Sequence, residues 1–253
     1  MLEGKLALVA GVANRRSIAW AIAQALHERG ARLAFTYQGE RLEKDVRKLA
    51  ETVDSSVVVP CDVRDEGDLE RAFGQVADGL GGLDLMVHSV AFAPAETLQG
   101  RYLDTARDDF WTALDVSCYS LVAMTRHAEP LMRARGGGSI VTMTFLGGER
   151  AFPHYNVMGV AKAALDASVR ALAVDLGEAA IRVNAVSAGP IRTVAGRSIP
   201  GFSEMEGIVA TRAPLRRNVD AAEVAQTAVY LLDAPGVTGT VAYCDAGYHA
   251  VGL

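Results

Sequence analysis

Leu6-Ala7-Leu8-Val9-Ala10-Gly11-Val12-Ala13-Asn14-Arg15-Arg16-Ser17-Ile18-Ala19 is the stretch that decides the fold. Five apolar residues read as a buried strand, Gly11 as a turn, and the residues from Ser17 onward as the start of a helix near 17–29 that Ser17 or Asn14 can cap. A strand–loop–helix start offers backbone N–H groups and the positive end of a helix dipole to a pyrophosphate. Gly11 lets the chain turn and a ligand approach. The GxGxxG fingerprint is absent, so this loop alone is a weak signal.

Working outward, the same unit recurs. Strand candidates lie at Leu6–Ala10, Leu33–Thr36, Val57–Pro60, Leu83–His88, Ser139–Thr144, Val183–Ser187 and Val241–Cys244. Helix candidates lie near 17–29, 40–53, 66–80, 104–135, 155–178 and 220–233. Most of the strands are continuous apolar runs rather than alternating ones, the habit of a parallel sheet covered on both faces. The expectation is α/β: one doubly wound parallel sheet of seven strands, order 3-2-1-4-5-6-7, in a single dinucleotide-binding catalytic domain over residues 1–253. No linker divides the chain. The segment around 190–218 lacks periodicity, carries Gly196, Pro200, Gly201, Gly207 and Pro214, and follows a strand end, so it reads as a substrate-binding loop or lid.

Composition excludes several classes. Of 253 residues, 50% are apolar and 22% charged, which suits a folded core rather than a disordered chain. A net charge of −5 argues against a nucleic-acid surface. Leu6–Ala10 is too short for a membrane span and lacks the features of a secretory signal, so a cytoplasmic protein with no membrane insertion is expected. The three cysteines (Cys61, Cys118, Cys244) form no CxxC pair, and the five histidines (His27, His88, His127, His154, His249) show no ligand spacing. Buried thiols and no metal are the expectation.

Further strand ends carry the cofactor reading. The second ends in Thr36-Tyr37-Gln38, where a residue meets the adenosine ribose. Gln38 is neutral and can bond ribose hydroxyls, which favours NADH over NADPH, with Arg41 the nearest cation. The third ends in Cys61-Asp62-Val63, suited to an adenine edge. The fourth ends in His88-Ser89-Val90-Ala91-Phe92-Ala93-Pro94, with small residues where a dinucleotide must pass.

Tyr155-Asn156-Val157-Met158-Gly159-Val160-Ala161-Lys162 carries the chemistry. At about 100° per residue, seven helical steps bring Lys162 to within about 20° of Tyr155, with Met158 about 60° to the other side. Tyr155 and Lys162 can face one pocket. The ammonium would lower the phenol's pKa and supply positive charge, and the pair could stabilise an oxyanion formed during hydride transfer.

Tyr155 through Lys162 resembles the YxxMxxxK motif of the divergent short-chain dehydrogenases, and Gly11 to Ala19 resembles their GxxxxxSIA motif. Phe35-Thr36-Tyr37-Gln38, Tyr155-Asn156-Val157-Met158-Gly159 and Ser187-Ala188-Gly189-Pro190-Ile191-Arg192-Thr193 resemble the bacterial enoyl-acyl carrier protein reductases over nearly the whole chain. The resemblance implies a Rossmann-type fold and NADH-dependent reduction of the trans-2 double bond of enoyl thioesters in fatty-acid biosynthesis. Tyr155 and Lys162 are then catalytic. Cofactor contacts are implied at Gly11, Ala13, Ser17, Ile18, Gln38, Asp62, Val63, Ser89, Val90, Ala91, Lys162, Ile191, Arg192, Thr193, Val194 and Ala195. Ala93, Phe145, Tyr155, Met158 and Phe202 are placed with the substrate. Phe145 departs from the pattern, since many members have a second tyrosine ten residues before the first. A homotetramer and an acyl carrier protein partner are also implied. Because that carrier is acidic, Arg192, Arg197, Arg212, Arg216 and Arg217, against Glu204 and Glu206, form one candidate docking surface, the alternative being that they pair internally or, as for Arg192, bind cofactor phosphate.

Two other readings stand beside this one. A ketoreductase would usually have lysine four residues after the tyrosine, where this chain has Gly159. A non-enzymatic dinucleotide-binding module would not need Tyr155 and Lys162 aligned.

Overall fold

The structure, a computed structural model, describes residues 2–251, leaving aside the side chain of Ala195. Met1, Gly252 and Leu253 of the expected 1–253 domain lie outside the described residues. β1 (Leu6–Ala10) is buried at every position. Ala7 and Val9 join one core, and Leu6, Leu8 and Ala10 join the other. That two-sided burial is why the strand is apolar at every position rather than at alternate ones.

The remaining strands are β2 (Arg32–Tyr37), β3 (Val57–Pro60), β4 (Leu85–His88), β5 (Gly138–Thr144), β6 (Ile181–Ala188) and β7 (Val241–Cys244). All pairings are parallel, and the order is β3-β2-β1-β4-β5-β6-β7, as expected. On one face lie α1 (Ile18–His27), α2 (Glu40–Glu51) and α9 (Ala221–Asp233). On the other lie α3 (Glu66–Leu80), α5 (Ser120–Ala134) and α6 (Asn156–Leu176). Pro60, which cannot donate to a ladder, sits at the end of the edge strand β3. Each fully buried Leu or Ile, such as Leu8, Ile22 or Leu165, contributes about 2 kcal/mol by leaving water.

Two segments differ from expectation. The single helical stretch near 104–135 is α4 (Arg107–Leu114), a π turn over Asp115–Tyr119, and α5. The aperiodic segment after β6 is not a structureless loop. It folds into α7 (Val194–Arg197) and α8 (Phe202–Arg212). Val209 packs with Ala213 and Ala246 in a small core of its own, so tertiary contact overrides the glycines. Among the described residues no helix is long and apolar enough to cross a membrane.

Candidate active site

β1 and β4 diverge from the same pairing, Ala10 opposite His88, and the chain after each strand borders one cleft. Gly11 has φ +101, and a Cβ there would stand 2.1 Å from the Ser89 carbonyl oxygen. Only glycine fits this crossing of two backbones.

Ser17 holds the N-cap position of α1 but does not cap it with its side chain, contrary to expectation. Its hydroxyl turns back and accepts from the N–H groups of Ala13 (3.0 Å) and Asn14 (3.1 Å), which stiffens the loop. Trp20 N–H bonds the Ser17 carbonyl, and the amides of Ile18 and Ala19 at the tip of α1 are left for an anion. A glycine cradle beside uncapped helix amides suits a dinucleotide pyrophosphate. Ile18 is half-buried behind them.

At the end of β2, Gln38 is exposed and reaches the Asp62 side chain. The Arg64 guanidinium grips Asp62 through both oxygens (3.2 and 2.9 Å) and holds its carboxyl down to about 2. Asp62 is therefore an ionised acceptor beside half-buried Val63. Arg41 lies exposed in the first turn of α2. Ser89 and Val90 are half-buried and Ala91 exposed along the cleft. On the far side, Ile191 and Thr193 are half-buried, and Arg192 and Val194 exposed. Ala195 falls in α7, its side chain outside the described set. Asn14, Arg15 and Arg16 share with Lys48, Arg192, Thr193, Val194 and Arg197 a basic cavity of about 460 Å³. The cofactor loop and the 191–197 segment thus form two walls of one space.

Tyr155 occupies the N-cap of α6 between two left-handed residues, His154 (φ 63) and Asn156 (φ 42). Asn tolerates that conformation, and its Nδ2 donates to the Thr97 carbonyl at 2.9 Å. Such strain persists where packing imposes it. Lys162 follows two turns along, and both side chains are buried, 7% and 6% exposed. Lys162 Nζ donates to the Met143 carbonyl at the end of β5, 2.8 Å away.

The charge states correct one expectation. Burial pushes the Tyr155 phenol up, with the Asp166 carboxylate adding to the effect, so it remains protonated instead of being acidified by Lys162. Burial also depresses the Lys162 ammonium to about 8, against the opposing pull of Asp166 and Cys118. His88, between Thr142 and Ser120 at 2.8 Å each, is driven to about 3 by burial and then by Lys162, and is neutral.

Around the phenol, Ala93, Phe145, Met158, Leu98, Phe152 and Ile199 form an apolar cluster with Tyr155. Phe145 meets the tyrosine ring edge-on at 5.1 Å. Phe202, expected with the substrate, is buried at the start of α8, its ring against Gly196 and its N–H on the carbonyl of Ile199, a member of that cluster. Leu98, Phe152, Ile199 and Asp166 escaped sequence reasoning. Asp166 lies four residues beyond Lys162, a spacing that would have found it.

The profile of the enoyl-(acyl carrier protein) reductases matches residues 11–249. The chain belongs to the enoyl-acyl carrier protein reductase family. It is 50% identical over 252 residues to the NADH enoyl-acyl-carrier-protein reductase of Bacillus subtilis, covering 98% of this chain and 97% of that one. Among solved members of the family, the Bacillus cereus enoyl-acyl carrier protein reductase with NADP+ and indole naphthyridinone superposes with a TM-score of 0.96 at 49% identity, covering 100% of this chain and 99% of that one. The Anaplasma phagocytophilum reductase in complex with NAD gives 0.95 at 47%, covering 100% and 97%. These enoyl reductases thus carry both dinucleotides.

Proposed function

We propose that this protein reduces the trans-2 double bond of enoyl-acyl carrier protein thioesters with NADH, in fatty-acid biosynthesis. The observation that carries this reading is the buried Tyr155 phenol, kept protonated within an apolar cluster and two helical turns from a buried lysine. When bound, the cofactor supplies the hydride that adds to the β carbon.

Gly11, Ala13, Ser17 and Ile18 would hold its pyrophosphate, Gln38, Asp62 and Val63 the adenosine, and Ser89, Val90 and Ala91 the passage between. Lys162 would hold the nicotinamide ribose, and Ile191 to Ala195 would close over that end. Tyr155 donates a hydrogen bond to the thioester carbonyl oxygen as that oxygen gains negative charge, and the α carbon takes up a proton. Lys162 adds positive charge nearby. Ala93, Phe145 and Met158 exclude water from the acyl chain. Phe145 cannot relay a proton, so that role falls to Tyr155 or solvent.

Assaying a crotonyl thioester with each dinucleotide tests the reading. NADH should be oxidised faster than NADPH, because Gln38 offers no charge to a 2′-phosphate. Equal or faster NADPH turnover would mean that Arg41 or another cation reaches the ribose. Reduction of a 3-ketoacyl thioester in place of the enoyl thioester would make the protein a ketoreductase.

The partner is an acidic carrier, and the chain is acidic overall, so docking needs a local basic surface. Of the five arginines, Arg192 pairs with Glu206 at 2.8 Å and Arg217 with Glu223 at 2.6 Å, and Arg216 bonds the Thr211 carbonyl. Arg197 and Arg212 stand exposed on the 190–218 lid and carry the docking proposal. Reversing both to Glu should raise KM for carrier-linked substrate and change it far less for the coenzyme A thioester. Added salt should discriminate in the same direction. An equal response of both substrates would remove the segment as the docking surface. A homotetramer acting in the cytoplasm completes this reading. Exposed Trp111 and Tyr119, on α4 and the π turn, and Val174 on α6 supply apolar surface for association.

A further inference from the structure

The backbone that leaves β4 makes few hydrogen bonds. Ser89 N–H still bonds the Ala10 carbonyl at 3.1 Å, and the next backbone bond along the chain is a 3₁₀ turn, Thr97 N–H to the Pro94 carbonyl. Between them, among the described residues, the backbone of Val90 to Ala93 makes hydrogen bonds to one side chain, Ser117. Phe92 N–H donates to Ser117 Oγ at 2.9 Å, and Ser117 Oγ–H donates to the Phe92 carbonyl at 2.9 Å. One hydroxyl thus satisfies both polar groups of one residue. The Phe92 side chain is 53% exposed, so its own packing does little to fix it.

Ser117 is wholly buried and reaches this position from the π turn between α4 and α5. There the Ser120 N–H reaches back to the Asp115 carbonyl, five residues away instead of four. The wider turn changes which side chains face the sheet, a device found most often at functional sites. Ser117 Oγ also lies 3.6 Å from Met158 Sδ, on the helix that follows Tyr155. Ala93, one residue beyond the clamp, packs in the apolar cluster with Tyr155 and Met158.

We propose that Ser117, presented by the π turn, is a positioning residue: it fixes Phe92 and Ala93 against Met158 and so sets the wall of the acyl pocket. The inference rests on the enoyl reductase reading for its kinetic part and on geometry alone for the clamp.

Residue-resolved amide exchange of the NADH-saturated protein separates the two. The Phe92 amide should be protected in the parent protein and exchange on the order of tenfold faster or more in Ser117→Ala, where a donor and an acceptor both lose their partner. The same variant should raise KM for the crotonyl thioester about tenfold, clearly more than it raises the NADH dissociation constant, because Phe92 and Ala93 lie beyond the proposed cofactor contacts at Val90 and Ala91. Ser117→Thr, which keeps the hydroxyl, should restore Phe92 protection. Ser120→Ala removes a neighbouring buried hydroxyl that does not touch Phe92. It should lower Tm without altering either Phe92 exchange or KM. Free exchange at Phe92 in the parent protein overturns the clamp without any variant. Unchanged KM in a folded Ser117→Ala with fast Phe92 exchange overturns the positioning role. A parent protein that does not turn over enoyl thioesters overturns the functional reading, and the exchange measurement still decides the clamp.

Discussion

Replacing Tyr155 with Phe is expected to lower kcat on the order of a hundredfold or more, because it removes the donor that the proposed mechanism aims at developing oxyanion charge. The fold should tolerate the change, since the ring keeps its edge-on contact with Phe145 and its place in the apolar cluster. Lys162→Ala should damage both NADH affinity and rate. The alkaline limb of kcat/KM identifies the lysine. Its ammonium is held to about 8, so the charged fraction, and the rate with it, falls as pH rises through that value. Lys162→Arg retains charge at every accessible pH and should move the limb to higher pH, whatever it does to the maximum rate. Near-normal turnover in both Tyr155→Phe and Lys162→Ala would refute the assigned roles.

Gly11→Ala is the second large effect, and it is structural. A methyl group would be driven into the Ser89 carbonyl at 2.1 Å, at a φ of +101 that non-glycine residues avoid. Relief requires β1 and β4 to part at Ala10 and His88, where the cofactor cleft begins. The expected cost is about 3 kcal/mol or more, read as a lowered denaturation midpoint, with loss of the stabilisation that NADH gives the parent protein. An unchanged midpoint together with undiminished NADH stabilisation would show that the crossing can relax, and that Gly11 is a convenience of the turn.

Much of this was legible in the sequence because two-sided burial leaves a direct trace. Leu6–Ala10 is apolar at every position since alternate residues enter different cores. The seven-residue interval from Tyr155 to Lys162 likewise survives folding, as both are buried at the start of α6. What was hidden depends on long-range packing. Asp115–Tyr119 lies within one long helical stretch, and no local signal marks the extra residue of the π turn. Phe202–Arg212 is helical in spite of Gly207 because Phe202 and Val209 find buried sites. Leu98 comes from a single 3₁₀ turn, and Phe152 and Ile199 from irregular backbone, none of which is long enough to show a period. The protonated phenol of Tyr155 follows from how deeply the ring is enclosed, which spacing cannot express.

The strand order also dictates when the protein can acquire its ligand. Ala10 pairs with His88, β4 must then wait for β5, and the pocket closes only with Ile199 beyond β6. A chain emerging from the ribosome therefore has no intact dinucleotide cradle until most of its length has been made. Its early strands, all parallel and separated by crossovers, present open edges meanwhile. Assembly from contacts so distant in sequence is slow. The cofactor, which stabilises only the finished fold, arrives too late to shield the nascent sheet. Helices such as α3, which pack on the sheet through Leu69, Phe73 and Val76, can cover part of its faces as each crossover is completed.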